Sequence, residues 1–153
     1  MIGWPQFLKF GVALFLTSFG PALFWWLDGR PVALPDAPTG KLQCVSYAPY
    51  RAGQSPFDAG FTVPRWQIEQ DLALLARHVD CVRTYATDQG IAEVPAIARQ
   101  VGLKVMLGAW IGGDSANNAR QIADLIRLAN AYPDVIKAVI VGNEVLLRRE
   151  QSA

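Results

Sequence analysis

The stretch "KAVIVGNEVLLRRE", residues 137–150, decides how this chain is read. Ala138 to Val141 form an apolar run that ends abruptly in Gly142-Asn143-Glu144. A short run that is apolar on both faces marks a parallel strand covered by helices on the outside. Such a strand sets an amide and a carboxylate side by side at its carboxyl end.

The same kind of unit recurs upstream. Strands are expected over 43–48, 81–85 and 104–109, with 137–141 as the fourth. Three helical stripes separate them: Ile68, Leu72, Leu75 and Val79; then Val94, Ile97, Ala98 and Val101; then Ile122, Leu125, Ile126 and Ala129. Thr62 is the expected N-cap of the first, with Pro64 near its start, and Gly102 supplies a left-handed stop for the second. Asp114 or Ser115 is expected to cap the third, which ends at "AYPD". "IGGDSANN", residues 111–118, is expected to be a mobile loop above the site.

A βαβαβαβ order suits either an open doubly wound sheet or a (β/α)8 barrel. The first usually carries a glycine-rich phosphate turn after its first strand, and "SYAPYRAGQSPF" has neither that pattern nor a phosphate-binding lysine. The chain is therefore expected to be α/β, a partial (β/α)8 TIM barrel of four strands and three helices, preceded by a transmembrane helix. In such barrels the site lies at the carboxyl ends of the strands. The residues expected there are Tyr47, Arg83, Tyr85, Trp110, Asn143 and Glu144.

Their types suit a sugar. Pyranose faces stack on aromatic rings, and Asn143 offers both a donor and acceptors to a ring hydroxyl. Glu144, set among apolar and aromatic neighbours, is expected to have a raised pKa and to protonate a departing glycosidic oxygen. Arg83 and Tyr85 are two residues apart, so both face the interior while Val82 and Thr84 face the helices. A guanidinium there needs a partner, and Glu144 is the expected one, directly or through others. Arg83 then reads either as a cross-strand tie or as support for the site.

Residues 1–27 differ in kind. Phe10 to Leu27 carry no charge over 18 residues, enough to reach ~27 Å as a helix. Trp4 precedes this run and Trp25-Trp26 close it, as aromatic belts do at a bilayer surface. No small-residue cleavage site follows, so an uncleaved signal-anchor in a bacterial inner membrane is expected, with the barrel on the periplasmic side. "DGRPVALPDAPTG", residues 28–40, reads as an extended linker to a domain over 41–153.

A net charge of +1 gives no electrostatic footprint for nucleic acid. The single histidine, His78, reads as a surface or helix-capping residue, and no metal or cofactor is expected. Cys44 and Cys81 match no zinc spacing and read as two buried thiols or one bridge.

"CVSYAPYRAGQSPF", "CVRTYAT", "VPAIARQVGLKVMLGAWIG" and "VIKAVIVGNEVLLRRE" together resemble the bacterial branch of glycoside hydrolase family 17, the β-1,3-glucanases, from about Leu42 to Glu150. The resemblance implies retaining action on β-1,3-linked glucan with Glu144 as general acid/base. It also implies Asn143 as a contact at the reacting sugar, with Tyr47, Arg83 and Tyr85 lining or supporting that place. Some membrane-anchored relatives are glucan synthases or transglycosylases, so transfer and a non-catalytic glucan-binding remnant stand as alternatives to hydrolysis. Retaining chemistry needs a second carboxylate about 5–5.5 Å from the first, and the family's "GExGWP"-like segment that supplies it is not in this sequence. These residues are expected to be the front half of a barrel, inactive alone. With strands 43–48 and 137–141 as unpaired edges, the soluble part is expected to fold poorly without a second copy or a companion half-barrel.

Overall fold

The structure is a computed structural model that describes residues 4–33, 40–58 and 60–150. Two compact units make up the chain, Met1–Asp36 and Ala37–Ala153.

The first unit is one helix, α1 (Trp4–Asp28), of 25 residues. Pro21 lies inside it without ending it. The Pro21 nitrogen cannot donate to the carbonyl four residues back, and the Thr17 hydroxyl makes its own bond to Ala13 O at 2.9 Å. The helix is long and apolar enough to cross a bilayer by length and composition, with a mean hydropathy of 1.6 over its best window. Arg30, just beyond it, stacks 4.2 Å from the Trp26 ring. Residues 34–39 of the linker expected over 28–40 lie outside the described residues.

The second unit holds a four-stranded parallel sheet in the order β1-β2-β3-β4, with β1 (Val45–Ser46), β2 (Cys81–Arg83), β3 (Lys104–Ala109) and β4 (Ile136–Val141). Neighbours in sequence are neighbours in space. β1 and β4 are therefore the edges, as expected. Helices α2 (Arg65–Leu75), α3 (Val94–Val101) and α4 (Ser115–Ala131) fill the three crossovers, a 3₁₀ turn over Ile91–Glu93 leading into α3. The core lies between helices and sheet, where Ile68, Leu72, Val82, Val94, Val105 and Leu107 are fully buried.

Several expectations hold in detail. Gly102 ends α3 at φ +77°, and Asp114 caps α4 by accepting from the Ala116 and Asn117 amides. His78 is exposed. Others are corrected. β1 and β2 are shorter than expected: one further backbone bond follows each, Tyr47 N to Arg83 O at 2.8 Å and Thr84 N to Met106 O at 3.0 Å, before the chain passes into loops. Pro64, not Thr62, stands at the N-cap of α2, and it makes no side-chain cap. Ile122 and Ile126 are 37% and 56% exposed; the buried stripe of α4 is Gln121, Leu125 and Leu128. A stripe at i, i+4 and i+7 permits either assignment, and an amide there looked polar enough for solvent.

Gly108 is the one strand position where a side chain has no room. A Cβ there would stand 2.3 Å from the Thr84 carbonyl oxygen, so the exit of β2 crosses directly over β3. Cys44 and Cys81 form a disulfide between the starts of β1 and β2, their Cα atoms 4.4 Å apart. This settles the two readings of the cysteines in favour of the bridge. Labelling the denatured, unreduced chain with iodoacetamide should add no adduct, and prior reduction should expose both thiols, as read by intact mass.

Candidate active site

Strand ends bring the site residues together. β4 ends at Val141, and the Gly142 amide still donates to Ala109 O at 2.9 Å, the last bond of that ladder. Gly142 then turns at φ +80°, where a Cβ would press to 2.7 Å on Val145 Cγ2. Glycine at this point swings Asn143 and Glu144 out of the strand.

Asn143 accepts a hydrogen bond from Arg83 Nη2 at 2.8 Å, joining the carboxyl end of β2 to that of β4 across 60 residues. The expected partner of Arg83 was Glu144. Asn143 takes that place because the turn at Gly142 presents the amide to the guanidinium first. The same guanidinium lies 4.6 Å from the centre of the Tyr85 ring. Arg83 and Tyr85 thus share one face, with Val82 and Thr84 buried on the other. Arg83 Nε is buried and has no hydrogen-bond partner among the described residues.

Glu144 is exposed and sits at φ +54°, a left-handed position costing a non-glycine residue about 1–3 kcal/mol. The apolar enclosure expected around its carboxyl is not present in the described fold. Instead Glu144 adjoins a network built by Arg148. That side chain donates to the Asn143 carbonyl, to Ile111 O at 3.3 Å and to Glu150 at 2.9 Å, and it stacks 4.1 Å from the Trp110 ring. The hydrogen bond from Arg148 holds the Glu150 carboxyl below the usual carboxylate range.

Tyr47 is buried and donates to Asp71 at 3.1 Å, while Arg51 pairs with the other oxygen of that carboxylate at 2.7 Å. Desolvation, then the Asp71 charge, push the Tyr47 hydroxyl far above its ordinary range. Burial and the charge of Asp88 raise Tyr50 as well. The Tyr85 hydroxyl donates to Ser46 Oγ at 2.9 Å. Tyr47, Tyr85 and Trp110 line one cavity of about 330 Å³ at the strand ends, together with Tyr50, Phe57 and Asn117 among others.

Two further residues hold this end of the sheet, and the sequence reading missed both. Gln121 is 2% exposed, and its Oε1 accepts from Thr87 N, Thr87 Oγ1 and Trp110 N at 2.8, 2.9 and 3.2 Å. Arg148 is the other, and the only sequence signal for it was a basic pair after an apolar turn. The segment 111–118, expected to be mobile, is pinned: Asn118 exchanges two bonds with Gly112, each 2.8 Å. Among the described residues no group of three or more His, Cys, Asp or Glu is placed to hold a metal ion.

A four-stranded parallel sheet with helical crossovers and a polar and aromatic cluster at its carboxyl edge defines an α/β protein with its candidate site at the strand ends. Residues 44–153 match the BtgE/BtgC glycoside hydrolase domain, and the chain belongs to that family. It is 36% identical over 87 residues to the glucan endo-1,3-beta-glucosidase btgC of Emericella nidulans, covering 53% of this chain and 13% of that one. It is 33% identical over 110 residues to the "Probable glucan endo-1,3-beta-glucosidase btgC" of Aspergillus oryzae, covering 68% of this chain and 16% of that one. The alignment thus spans about one-sixth of the length of that relative. The fold is similar to that of the glycoside hydrolase family 17 beta-1,3-glucanosyltransferase of Rhizomucor miehei, with a TM-score of 0.55 and 23% identity, covering 72% of this chain and 40% of that one. An active-site mutant of the Rhizomucor miehei glucanosyltransferase, solved with laminaritriose, is equally similar.

The raised Tyr47 hydroxyl carries a pH signature. In the unfolded chain the phenol ionises near ~10, and in the fold it does so later. Its contribution to stability is therefore complete below about pH 10 and is lost as the pH rises beyond it. Urea melts from about pH 8 to 11 should show that decline, and Tyr47→Phe should lessen it, the raised Tyr50 keeping the rest.

Proposed function

We propose that this chain carries the acid/base side of a β-1,3-glucan-active site, with residues 41–153 as half of a (β/α)8 barrel. The observation that carries the reading is the Arg83–Asn143 bond of 2.8 Å, which binds the ends of β2 and β4 together beside Glu144, in a chain whose family is one of glycoside hydrolases. Glu144 donates its proton to the departing glycosidic oxygen while a second carboxylate bonds to the anomeric carbon. The Glu144 carboxylate then takes a proton from the incoming hydroxyl, whose oxygen bonds to the anomeric carbon and displaces the second carboxylate. Water as that group gives hydrolysis, and a sugar hydroxyl gives transfer. Asn143 holds a hydroxyl of the reacting sugar, Arg83 fixes Asn143, and Tyr47, Tyr85 and Trp110 wall the place where the sugar lies.

The second carboxylate comes from a companion half-barrel. Most acids of the described unit are already engaged: Asp58 by the Gly60 amide, Asp71 by Arg51 and Tyr47, Glu69 and Glu93 by Arg65, Asp114 by the α4 amides, Asp124 by Arg127, Asp134 by Arg99 and Glu150 by Arg148. The unmet Arg83 Nε is a donor suited to such a carboxylate. Val139 and Val141 support the same view, since they pair in register with Leu107 and Ala109 yet are 50% and 60% exposed.

A glucan-binding remnant is the second reading, favoured by the exposure of Glu144. The two part on turnover. When this chain is joined to the second half of a family barrel, laminari-oligosaccharides should be converted. Glu144→Gln should slow that conversion about 10²–10⁴-fold with affinity little changed. Products longer than the starting sugar denote transfer; equal rates for the two proteins sink the catalytic role.

The apolar helix α1 anchors the domain to a lipid bilayer in this reading, on the side away from the cytoplasm, where a disulfide persists. The full chain should sediment with membranes through alkaline carbonate washing, and deletion of residues 1–30 should release it.

A further inference from the structure

Residue 148 holds both peptide groups that flank the Glu144 Cα. Its side-chain Nη1 donates to the Asn143 carbonyl, the oxygen of the peptide that leads into Glu144. Its backbone amide donates to the Glu144 carbonyl at 2.9 Å, the oxygen of the peptide that leads out. Between these two bonds Glu144 sits at φ +54°, a conformation that a residue with a side chain keeps only where its surroundings impose it.

The guanidinium is anchored on another strand. It lies 4.1 Å from the centre of the Trp110 ring, donates to Ile111 O at 3.3 Å and pairs with Glu150 at 2.9 Å. Trp110 and Ile111 follow β3, whereas Glu144 is delivered by β4. The Glu144 charge also acts on this guanidinium, after the stronger effect of the Glu150 bond. Packing alone does not explain a cation here. Arg148 Nε is buried with no hydrogen-bond partner among the described residues, an unmet donor that a leucine or methionine against Trp110 would not leave. What the planar guanidinium adds is its reach to two carbonyl oxygens at once.

We infer that Arg148 is a positioning residue for Glu144, fixing the main chain on both sides of it so that the carboxyl keeps one direction toward the departing oxygen. The inference rests on the acid/base reading above and deepens it. Glu144 is exposed, so no pocket around its side chain aims it. The backbone does that, and Arg148 holds the backbone.

The test uses two substrates on this chain joined to the second half of a family barrel. A laminari-oligosaccharide leaves as an alkoxide and needs the Glu144 proton. In 2,4-dinitrophenyl laminaribioside the second carboxylate bonds to the anomeric carbon while dinitrophenolate departs with the electron pair, and no proton is required. Arg148→Met, which keeps an apolar stem for Trp110, should slow oligosaccharide conversion about 10²-fold. The first-turnover burst of dinitrophenolate should stay as in wild type, a split that general loss of structure would not produce. Glu150→Gln should show the same split with a smaller loss, and Arg148→Met should add nothing in the Glu144→Gln background. In the full chain in detergent, Arg148→Met should speed amide hydrogen exchange over residues 142–150 about tenfold and leave 81–83 unchanged. Equal oligosaccharide rates for wild type and Glu144→Gln overturn the acid/base reading and this inference together. A loss in Glu144→Gln that Arg148→Met does not share, or an equal loss on both substrates, overturns the inference alone. Unchanged exchange over 142–150 overturns it whatever the rates.

Discussion

A guanidinium on the inner face of a parallel sheet must be met by whatever the neighbouring strands bring to the same end. In this chain Arg83 sets that demand at the exit of β2. Tyr85 covers one face of the group at 4.6 Å, and Asn143 satisfies one nitrogen from two strands away. An uncompensated buried charge would cost several kcal/mol. The glycine turn at Gly142 brings Asn143 to meet it and seats Glu144 alongside. The Arg148 network then ties the same turn to Ile111 and Trp110, so that the ends of β2, β3 and β4 form one connected rim.

What could be read from the sequence was what local pattern dictates. The run Lys104–Ala109, the stop at Gly102, the Asp114 cap and the common face of Arg83 and Tyr85 each depend on a few adjacent residues. Side-chain pairings across long separations were not legible. Arg83 finding Asn143 instead of Glu144 depends on how Gly142 turns, a fact of backbone geometry at φ +80°. Gln121 was passed over because an amide on a helix reads as a solvated residue, and only the fold shows that its oxygen serves three donors.

The crossing of β2 over Gly108 and the disulfide at the other end of the same strands act on one feature from two directions. Cys44 and Cys81 hold the starts of β1 and β2 together covalently, and the bare Cα of Gly108 lets the exit of β2 lie close on β3. Between these points β1 and β2 have only two and three residues in strand. Just past these short strands, Tyr47 and Tyr85 line the cavity.

The amide oxygen of Gln121 has a consequence for how such a rim can change over generations. It measures the distance from α4 to Thr87 and to Trp110 at once, so an inserted or deleted residue on either path would break at least one of three bonds. Composition between the anchors stays free to vary, while length does not. Descendants of this fold would therefore be expected to diversify by swapping side chains on a fixed frame, with insertions confined to stretches that the amide does not gauge.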